Sequence, residues 1–303
     1  MKVNKKILII GGTGFIGYHL AKKSLKKGWL VTSISSNKPK QKRYLPKVKY
    51  IFCDISKKKL LNRNIKSYFN YVVNLGGYVD HANKKKTFNS HYVGCKNLSE
   101  IFLKKKIEAF IQMGSSGEYG RLTSPQYENS RCKPESMYGQ AKLLSSKYLI
   151  KLFEKEKFPV TILRLYQAYG PKQDFNRLIP IVINACIKKK KFPCSNGKQY
   201  RDFVHVNDVV NAIFNSLKSQ KARGQIINIG TGKPKKIKDI IEYIQKKLKG
   251  GTPQFGKIKL RKDEILKIYP NISKAKKIIN WKPKIKFDRG LKLTINFYNA
   301  QRN

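Results

Sequence analysis

Tyr138 and Lys142, in Tyr138-Gly139-Gln140-Ala141-Lys142, form the pair in this 303-residue chain whose chemistry is most direct to state. On a helix, positions i and i+4 share a face, so a phenol and an ammonium would meet there. A free tyrosine titrates near 10, too high for acid–base work at neutral pH, and a neighbouring cation stabilises the phenolate and lowers that value. Such a pair can move a proton to or from a sugar oxygen while hydride moves at the attached carbon. The spacing alone arises by chance on many helices, so it needs a companion. Gly11-Gly12-Thr13-Gly14-Phe15-Ile16-Gly17 provides one, reading G-x-G-x-x-G from Gly12 and G-x-x-G-x-x-G from Gly11. Glycines there let the backbone turn sharply and approach a pyrophosphate, and N–H groups opening the next helix face its oxygens. Gly11, Gly14, Phe15, Ile16 and Gly17 are the cofactor contacts this predicts.

Each motif needs particular elements around it. The apolar run Ile7–Ile10 reads as a strand ahead of the glycines, and periodicity from Ile16 to about Lys27 reads as the helix behind them, the order a pyrophosphate loop requires. Further strands are expected at Leu30–Ile34, Val48–Cys53, Tyr71–Leu75, Ala109–Met113 and Val160–Leu165, with helices at Asn89–Lys105 and Met137–Lys155. The alternation predicts an α/β fold, a Rossmann-like doubly wound parallel sheet over residues 1–166. Beyond it, Gly170-Pro171, Pro180, Pro193, Gly197 and Gly250-Gly251 punctuate a smaller α/β region over 167–303, with a return segment to the sheet near 203–232. After the second strand no acid follows to hold a ribose 2′-hydroxyl. Ser35 and Asn37 stand there, with Lys38, Lys40, Lys42 and Arg43 close behind. Hydroxyls and cations suit a 2′-phosphate, so NADP(H) is favoured as cofactor and NAD(H) stays open.

Composition excludes several classes. At 40% hydrophobic residues the chain can bury a full core, and no run reaches the roughly 20 apolar residues of a membrane helix. The apolar run after Lys6 is too short for a secretory signal, so a cytoplasmic protein is expected, with no membrane partner. Five scattered cysteines form no C-x-x-C pair and four histidines no ligand pattern, so no metal site is expected. The excess of 66 Lys and Arg over 17 Asp and Glu, a net +49, would attract polyanions. Runs such as Lys57–Lys59, Lys84–Lys86, Lys104–Lys106 and Lys188–Lys191 are dispersed rather than gathered, and Ile and Asn are abundant too, as codons biased toward A and T would make them. Compositional drift is favoured over substrate steering, and both over nucleic-acid binding.

With Gly114-Ser115-Ser116-Gly117-Glu118-Tyr119-Gly120 after an expected strand, the motifs resemble the extended short-chain dehydrogenases/reductases, specifically the NAD(P)-dependent nucleotide-sugar epimerase/dehydratase family, over nearly the whole chain. Asp54-Ile55 is similar to the family's adenine contact and Asn74-Leu75-Gly76-Gly77 to its N-L-A-A turn. Arg164–Pro171 is similar to R-x-x-N-x-Y-G-P, Arg201–Asp208 to R-D-F-x-H-V-x-D, and Arg261–Glu264 to R-x-G-D. The resemblance implies Asp54, Ile55, Leu75, Gly76, Gly77 and Leu165 beside the cofactor, Ser115 bonded to the reacting oxygen, Tyr138 as acid/base and Lys142 on the nicotinamide ribose. It also implies Ser116, Gln167, Arg201 and Arg261 at a nucleotide-diphosphate sugar, with the guanidinium forks on the diphosphate. A homodimer paired through helices 89–105 and 137–155 follows by the same resemblance.

Departures from the family pattern narrow the expected reaction. Ser116-Gly117 stands where 4,6-dehydratases carry Asp-Glu, so dehydration is disfavoured, and Gly117 stands where members that epimerise beside a ketone carry Cys. Gln167 replaces the Asn of N-x-Y-G-P, and His91 the usual Asn near the start of the helix after the fourth strand. Chemistry at one carbon remains. Reduction of a 4-keto-6-deoxy sugar nucleotide at C4 is favoured, and 4-epimerisation with NAD retained is the alternative. A reading from another class is a non-catalytic dinucleotide-fold protein that binds RNA through its charge.

Overall fold

Strand β1 (Lys6–Ile10) sends Ile7 and Ile9 into one hydrophobic core and Leu8 and Ile10 into another, and none of the four is more than 1% exposed. A strand buried on both faces belongs inside a parallel sheet covered by helices. The computed structural model describes residues 4–78, 80, 82–260 and 264–300. In chain order the further strands are β2 (Leu30–Ser35), β3 (Val48–Phe52), β4 (Tyr71–Asn74), β5 (Ala109–Ser115), β6 (Val160–Leu165), β7 (Gln167–Tyr169), β8 (Lys191–Pro193), β9 (Tyr200–Arg201), β10 (Phe203–His205), β11 (Gln225–Ile229), β12 (Lys235–Lys236), β13 (Thr252–Gln254) and β14 (Lys267–Ile268). Among the described residues, seven strands in the order β11-β6-β5-β4-β1-β2-β3 make one sheet, parallel at every pair.

Helices α1 (Phe15–Lys26), α2 (Lys58–Asn64), α3 (Lys84–Phe88), α4 (Gly94–Leu103), α5 (Met137–Glu156), α6 (Leu178–Ile187), α7 (Val206–Lys218), α8 (Ile237–Leu248), α9 (Ser273–Ile279) and α10 (Phe287–Asn299) surround it. Leu20 of α1, Val209 and Ile213 of α7 and Ile279 of α9 fill the core on one face. Leu61 of α2, Leu98 and Phe102 of α4 and Leu149 of α5 fill the other. A third core gathers Ile179 and Ile183 of α6, Ile240 and Ile244 of α8, and Leu291 and Ile295 of α10 around Phe192 and Phe203. The helix expected over Asn89–Lys105 begins earlier. Asn83 caps α3 by accepting the Lys86 N–H at 2.9 Å, and α3 runs through a π turn, Asn89–Val93, into α4. Lys84–Lys86, one of the dispersed lysine runs, forms the first turn of α3, since lysine is a good helix former.

Strand order reverses between β1 and β4, and a crevice at their carboxyl ends is where such sheets bind ligands. The approach of α1 to β1 there depends on one missing side chain. A Cβ on Gly17 would lie 2.3 Å from the Gly11 carbonyl oxygen and 2.6 Å from Gly12 Cα, and backbone cannot step aside. Gly28, at φ +74°, has nothing within 4 Å of that position. Gly28→Ala is therefore expected to cost roughly 1 kcal/mol of left-handed strain without touching the loop, whereas Gly17→Ala lowers both stability and dinucleotide affinity, the latter by about tenfold or more. Thermal melts paired with NADPH fluorescence titrations separate the two.

Candidate active site

Gly11 takes φ +75°, a conformation few side chains tolerate, and a Cβ there would press on the Leu75 carbonyl oxygen at 3.0 Å. The turn it permits leaves Gly14 as N-cap of α1, with no side chain capping the helix and no acid in its first turn. Such a helix end attracts anions. The Gly11 N–H donates to the Ile34 carbonyl at 2.7 Å and the Thr13 N–H to Ser35 Oγ at 3.4 Å, tying the loop to the end of β2. Across the crevice the Leu75 N–H donates to the Ile10 carbonyl at 3.0 Å. Buried Ile55 packs under Gly76, where a Cβ would meet Ile10 at 2.8 Å. Exposed Asp54 accepts the Ser56 N–H at 2.9 Å, and Leu165 pairs in register with Ser115. The predicted contacts, from Gly11, Phe15 and Ile16 through Ser35, Asn37, Asp54, Leu75 and Gly77 to Leu165, thus collect at or just beyond the carboxyl ends of the sheet strands and in the first turn of α1. A cradle that side chains would fill, beside an uncapped helix end, fits a dinucleotide pyrophosphate.

The cations expected to favour a 2′-phosphate are differently engaged. Arg43, 3% exposed, donates Nε and Nη2 to the Lys172 carbonyl at 3.0 and 2.7 Å and pairs with Asp174 at 2.7 Å. Lys40 pairs with the same carboxylate at 2.8 Å. Both pin the β2–β3 connection to the segment after β7, and Ser35, Asn37 and Lys38 remain at the strand end. Burial pushes the Asp174 carboxyl up, but Lys40 and Arg43 outweigh it and hold it below the usual range.

Ser115 closes β5, and its Oγ accepts the Gly117 N–H at 3.1 Å across the tight turn 116–118. Under this turn lies Glu118, fully buried. Its Oε1 accepts the Ser115 N–H at 2.8 Å, while its Oε2 accepts from Ser146 Oγ at 2.8 Å and Arg164 Nε at 2.9 Å. Arg164 is 2% exposed, with its guanidinium 4.5 Å from the centre of the Tyr119 ring. Burial lowers its pKa, but Glu118, Tyr119 and Cys132 together outweigh this and raise it. Gly114 makes room for the carboxylate, since a Cβ there would come within 2.5 Å of Oε1.

Helix α5 begins at Ser136, whose Oγ accepts the Gly139 N–H at 3.1 Å. Gly139 lets this first turn lie directly on the loop, for its Cβ would meet the Gly117 carbonyl oxygen at 2.4 Å. Tyr138 is thereby set beside Gly117, where a Cβ would lie 3.5 Å from the phenol ring. One turn on, buried Lys142 donates Nζ to the Met113 carbonyl at 2.6 Å and lies 6.0 Å from the Tyr138 ring centre. Burial pushes the neighbouring Tyr119 phenol up to about 12, and its hydroxyl donates to Asn228 at 2.7 Å, so it stays protonated. Ser115, Ser116, Tyr138 and Lys142 are brought together at the carboxyl end of β5, a set able to pass a proton to a bound hydroxyl oxygen.

A cavity of about 440 Å³ with largely apolar walls, including Ile179, Phe192 and Phe203, lies against β7 and α6. Gln167 and Arg201 both line it, with Arg177 and Glu264. Arg201 donates Nη2 to the Glu264 carboxylate and Nη1 to the Tyr200 carbonyl at 2.8 Å. Ser115, Ser116, Tyr138 and Lys142 are not in its wall, and Arg261 lies outside the described residues. Apolar walls with a few polar groups are the usual make-up of a small-molecule site.

The pattern of the NAD dependent epimerase/dehydratase family matches residues 7–230. The chain belongs to this family. A relative described as a putative UDP-glucose 4-epimerase, from Methanocaldococcus jannaschii, is 29% identical over 96% of the chain and 97% of that protein. CDP-abequose synthase of Salmonella muenchen is 25% identical over 96% and 97%. The crystal structure of UDP-glucose 4-epimerase with UDP-glucose from Thermotoga maritima shares the fold, with a TM-score of 0.93 at 24% identity over 98% of this chain and 100% of that one. As an epimerase/dehydratase family member the chain is a nicotinamide-dinucleotide enzyme of the nucleotide-sugar type.

Four residues escaped the sequence reading. Glu118 and Arg164 lie inside the motifs but far apart in the chain, and the available signal was scarcity, since an acid within a glycine-rich turn is notable where only 17 occur in all. Glu264 lies in the segment similar to R-x-G-D, and Arg177 carried no local signal. Arg43→Ala tests the reassigned cation. It is expected to cost roughly 3 kcal/mol in urea denaturation, to leave the ratio of NADPH to NADH affinity unchanged, and to flatten the acid limb of stability. The Asp174 contribution is present above the ordinary carboxylate pKa near 4 and is lost as pH falls through its lower folded value.

Proposed function

We propose that the chain reduces a 4-keto-6-deoxy sugar nucleotide at C4, with NADPH as reductant. The observation that carries this reading is the state of the loop after β5. Glu118 is the one acid between residues 114 and 120, and its oxygens are taken by the Ser115 N–H, Ser146 and Arg164. No carboxylate there serves the elimination of water, and single-carbon chemistry remains. The end of β2, with Ser35, Asn37 and Lys38 and no acid, supports NADPH over NADH.

In this reading Ser115 Oγ holds the reacting oxygen, Tyr138 gives it the proton, and Lys142 steadies both the phenolate and the nicotinamide ribose. The nicotinamide, when bound, supplies the hydride chemistry. Ser116 and Gln167 meet the sugar, and Arg201 and Arg261 meet the diphosphate, Arg201 exchanging Glu264 for phosphate oxygens. Residues 1–166 and the return segment serve the cofactor, and 167–303 serve mainly the sugar nucleotide. The enzyme works in the cytoplasm as a homodimer through α4 and α5, where Leu144 is 42% exposed and Tyr148, one turn further along α5, has its ring centre 6.5 Å from that of Tyr92. A second reading, 4-epimerisation with NAD retained, is favoured by the relative described as a putative UDP-glucose 4-epimerase.

Mass spectrometry of the cofactor released from purified protein, followed by turnover of CDP- and dTDP-linked 4-keto-6-deoxyglucose, tests the reading. NADPH is expected to be consumed one for one with product, and Tyr138→Phe to lower kcat by about 100-fold or more. Tightly held NAD with interconversion of C4 epimers and no net reduction would establish the epimerase instead. Loss of neither activity in Tyr138→Phe would sink both readings.

A further inference from the structure

Two departures from the family pattern lie against each other. Gly77 stands where the N-L-A-A turn has Ala, and His91 where the family has Asn. A Cβ on Gly77 would fall 1.9 Å from His91 Cε1 and 2.6 Å from Nδ1, so the imidazole fills the space an alanine methyl would need. The ring is 5% exposed and held on several sides. Its backbone sits in the π turn 89–93, a local widening often found at functional sites, and its carbonyl accepts from Ser145 Oγ of α5 at 2.8 Å. Nε2 meets the Tyr78 carbonyl at 3.2 Å. A carbonyl only accepts, so Nε2 carries the proton. The Tyr78 N–H in turn donates to Ser90 Oγ at 2.9 Å, which closes the turn after β4 onto the helix. The imidazole so fixed stands nearly perpendicular to the Tyr138 ring, at 79° with centroids 5.0 Å apart, a favourable aromatic arrangement.

We propose that Gly77 and His91 act as one unit, the missing methyl of the first admitting the imidazole of the second, and that His91 is a positioning residue that sets the plane of the Tyr138 ring for proton transfer. This rests on Tyr138 being the acid/base of the reaction proposed above, but the ring contact is observable without turnover. An asparagine at 91 would offer the Tyr138 ring no aromatic edge.

The test uses the full chain labelled with ¹³Cζ-tyrosine, the Tyr138 resonance being assigned by its loss in Tyr138→Phe. His91→Asn and Gly77→Ala are each expected to shift that resonance. With NADPH and CDP-linked 4-keto-6-deoxyglucose, His91→Asn lowers kcat about tenfold with KM within about twofold, and His91→Phe, which keeps an aromatic edge, restores most of the rate. Gly77→Ala is damaging beside histidine and adds nothing further in a His91→Asn background. An unmoved Tyr138 resonance in His91→Asn, or independent and additive effects of the two substitutions, overturns the proposal. A shifted resonance with no turnover of the keto sugar supports the contact and counts against the reaction.

Discussion

A carboxylate and a guanidinium buried together beneath the turn after β5 hold the rest of the site in place. Glu118 reaches the backbone of Ser115, the hydroxyl of Ser146 on α5 and the guanidinium of Arg164 on β6, so one side chain joins two sheet strands and the helix that carries Tyr138 and Lys142. Removing either charge from water costs several kcal/mol, and the interior repays this when geometry is good and the remaining polar atoms are bonded. Here one oxygen of the carboxylate holds the Ser115 backbone and the other takes two donors, and Tyr119 covers the guanidinium. The pair contributes little net stability against an apolar substitute, but it permits few arrangements of the loop, and that selectivity is what a proton-transfer site needs.

Glycines make the second constraint, by what they omit. Gly114 admits the carboxylate, Gly139 lets α5 rest on the loop, and Gly17 lets α1 rest on the dinucleotide turn. Each contact brings backbone or a charged oxygen to within 2.6 Å of where a Cβ would stand, so the spacing of β5, α5 and α1 follows from residues that carry no side chain. The proposed chemistry sits where these approaches converge, at the carboxyl ends of β1, β4 and β5. The net charge of +49, spread over dispersed lysine runs, does not enter this frame.

Much of the fold was readable locally because the central strands are short runs of mainly apolar, β-branched residues. Ile7–Ile10 and Val160–Leu165 announced themselves as strands, and the glycine loop declared its place between strand and helix. What stayed hidden depends on partners distant in sequence. The extension of β5 to Ser115 comes from its register with Arg164 and Leu165 of β6, and the engagement of Arg43 from Asp174. Arg43 therefore read as a free cation beside the cofactor until a carboxylate from beyond β7 was placed against it. The same holds for the site. Tyr138 and Lys142 share one helix and were legible, whereas the Glu118–Arg164 pair that places them joins different elements.

Single-turnover reduction of CDP-linked 4-keto-6-deoxyglucose by NADPH in Glu118→Gln, with the urea denaturation of the same protein, tests this most directly. With the carboxylate gone, the guanidinium is left buried without a counter-charge, and stability should fall by roughly 3 kcal/mol. The dinucleotide affinity should stay near wild type, since α1 and its loop are untouched, while the single-turnover rate falls about 100-fold as Ser115 and Tyr138 lose their mutual placement. A variant that is destabilised yet reduces the sugar at the wild-type rate would contradict the central role given to the buried pair.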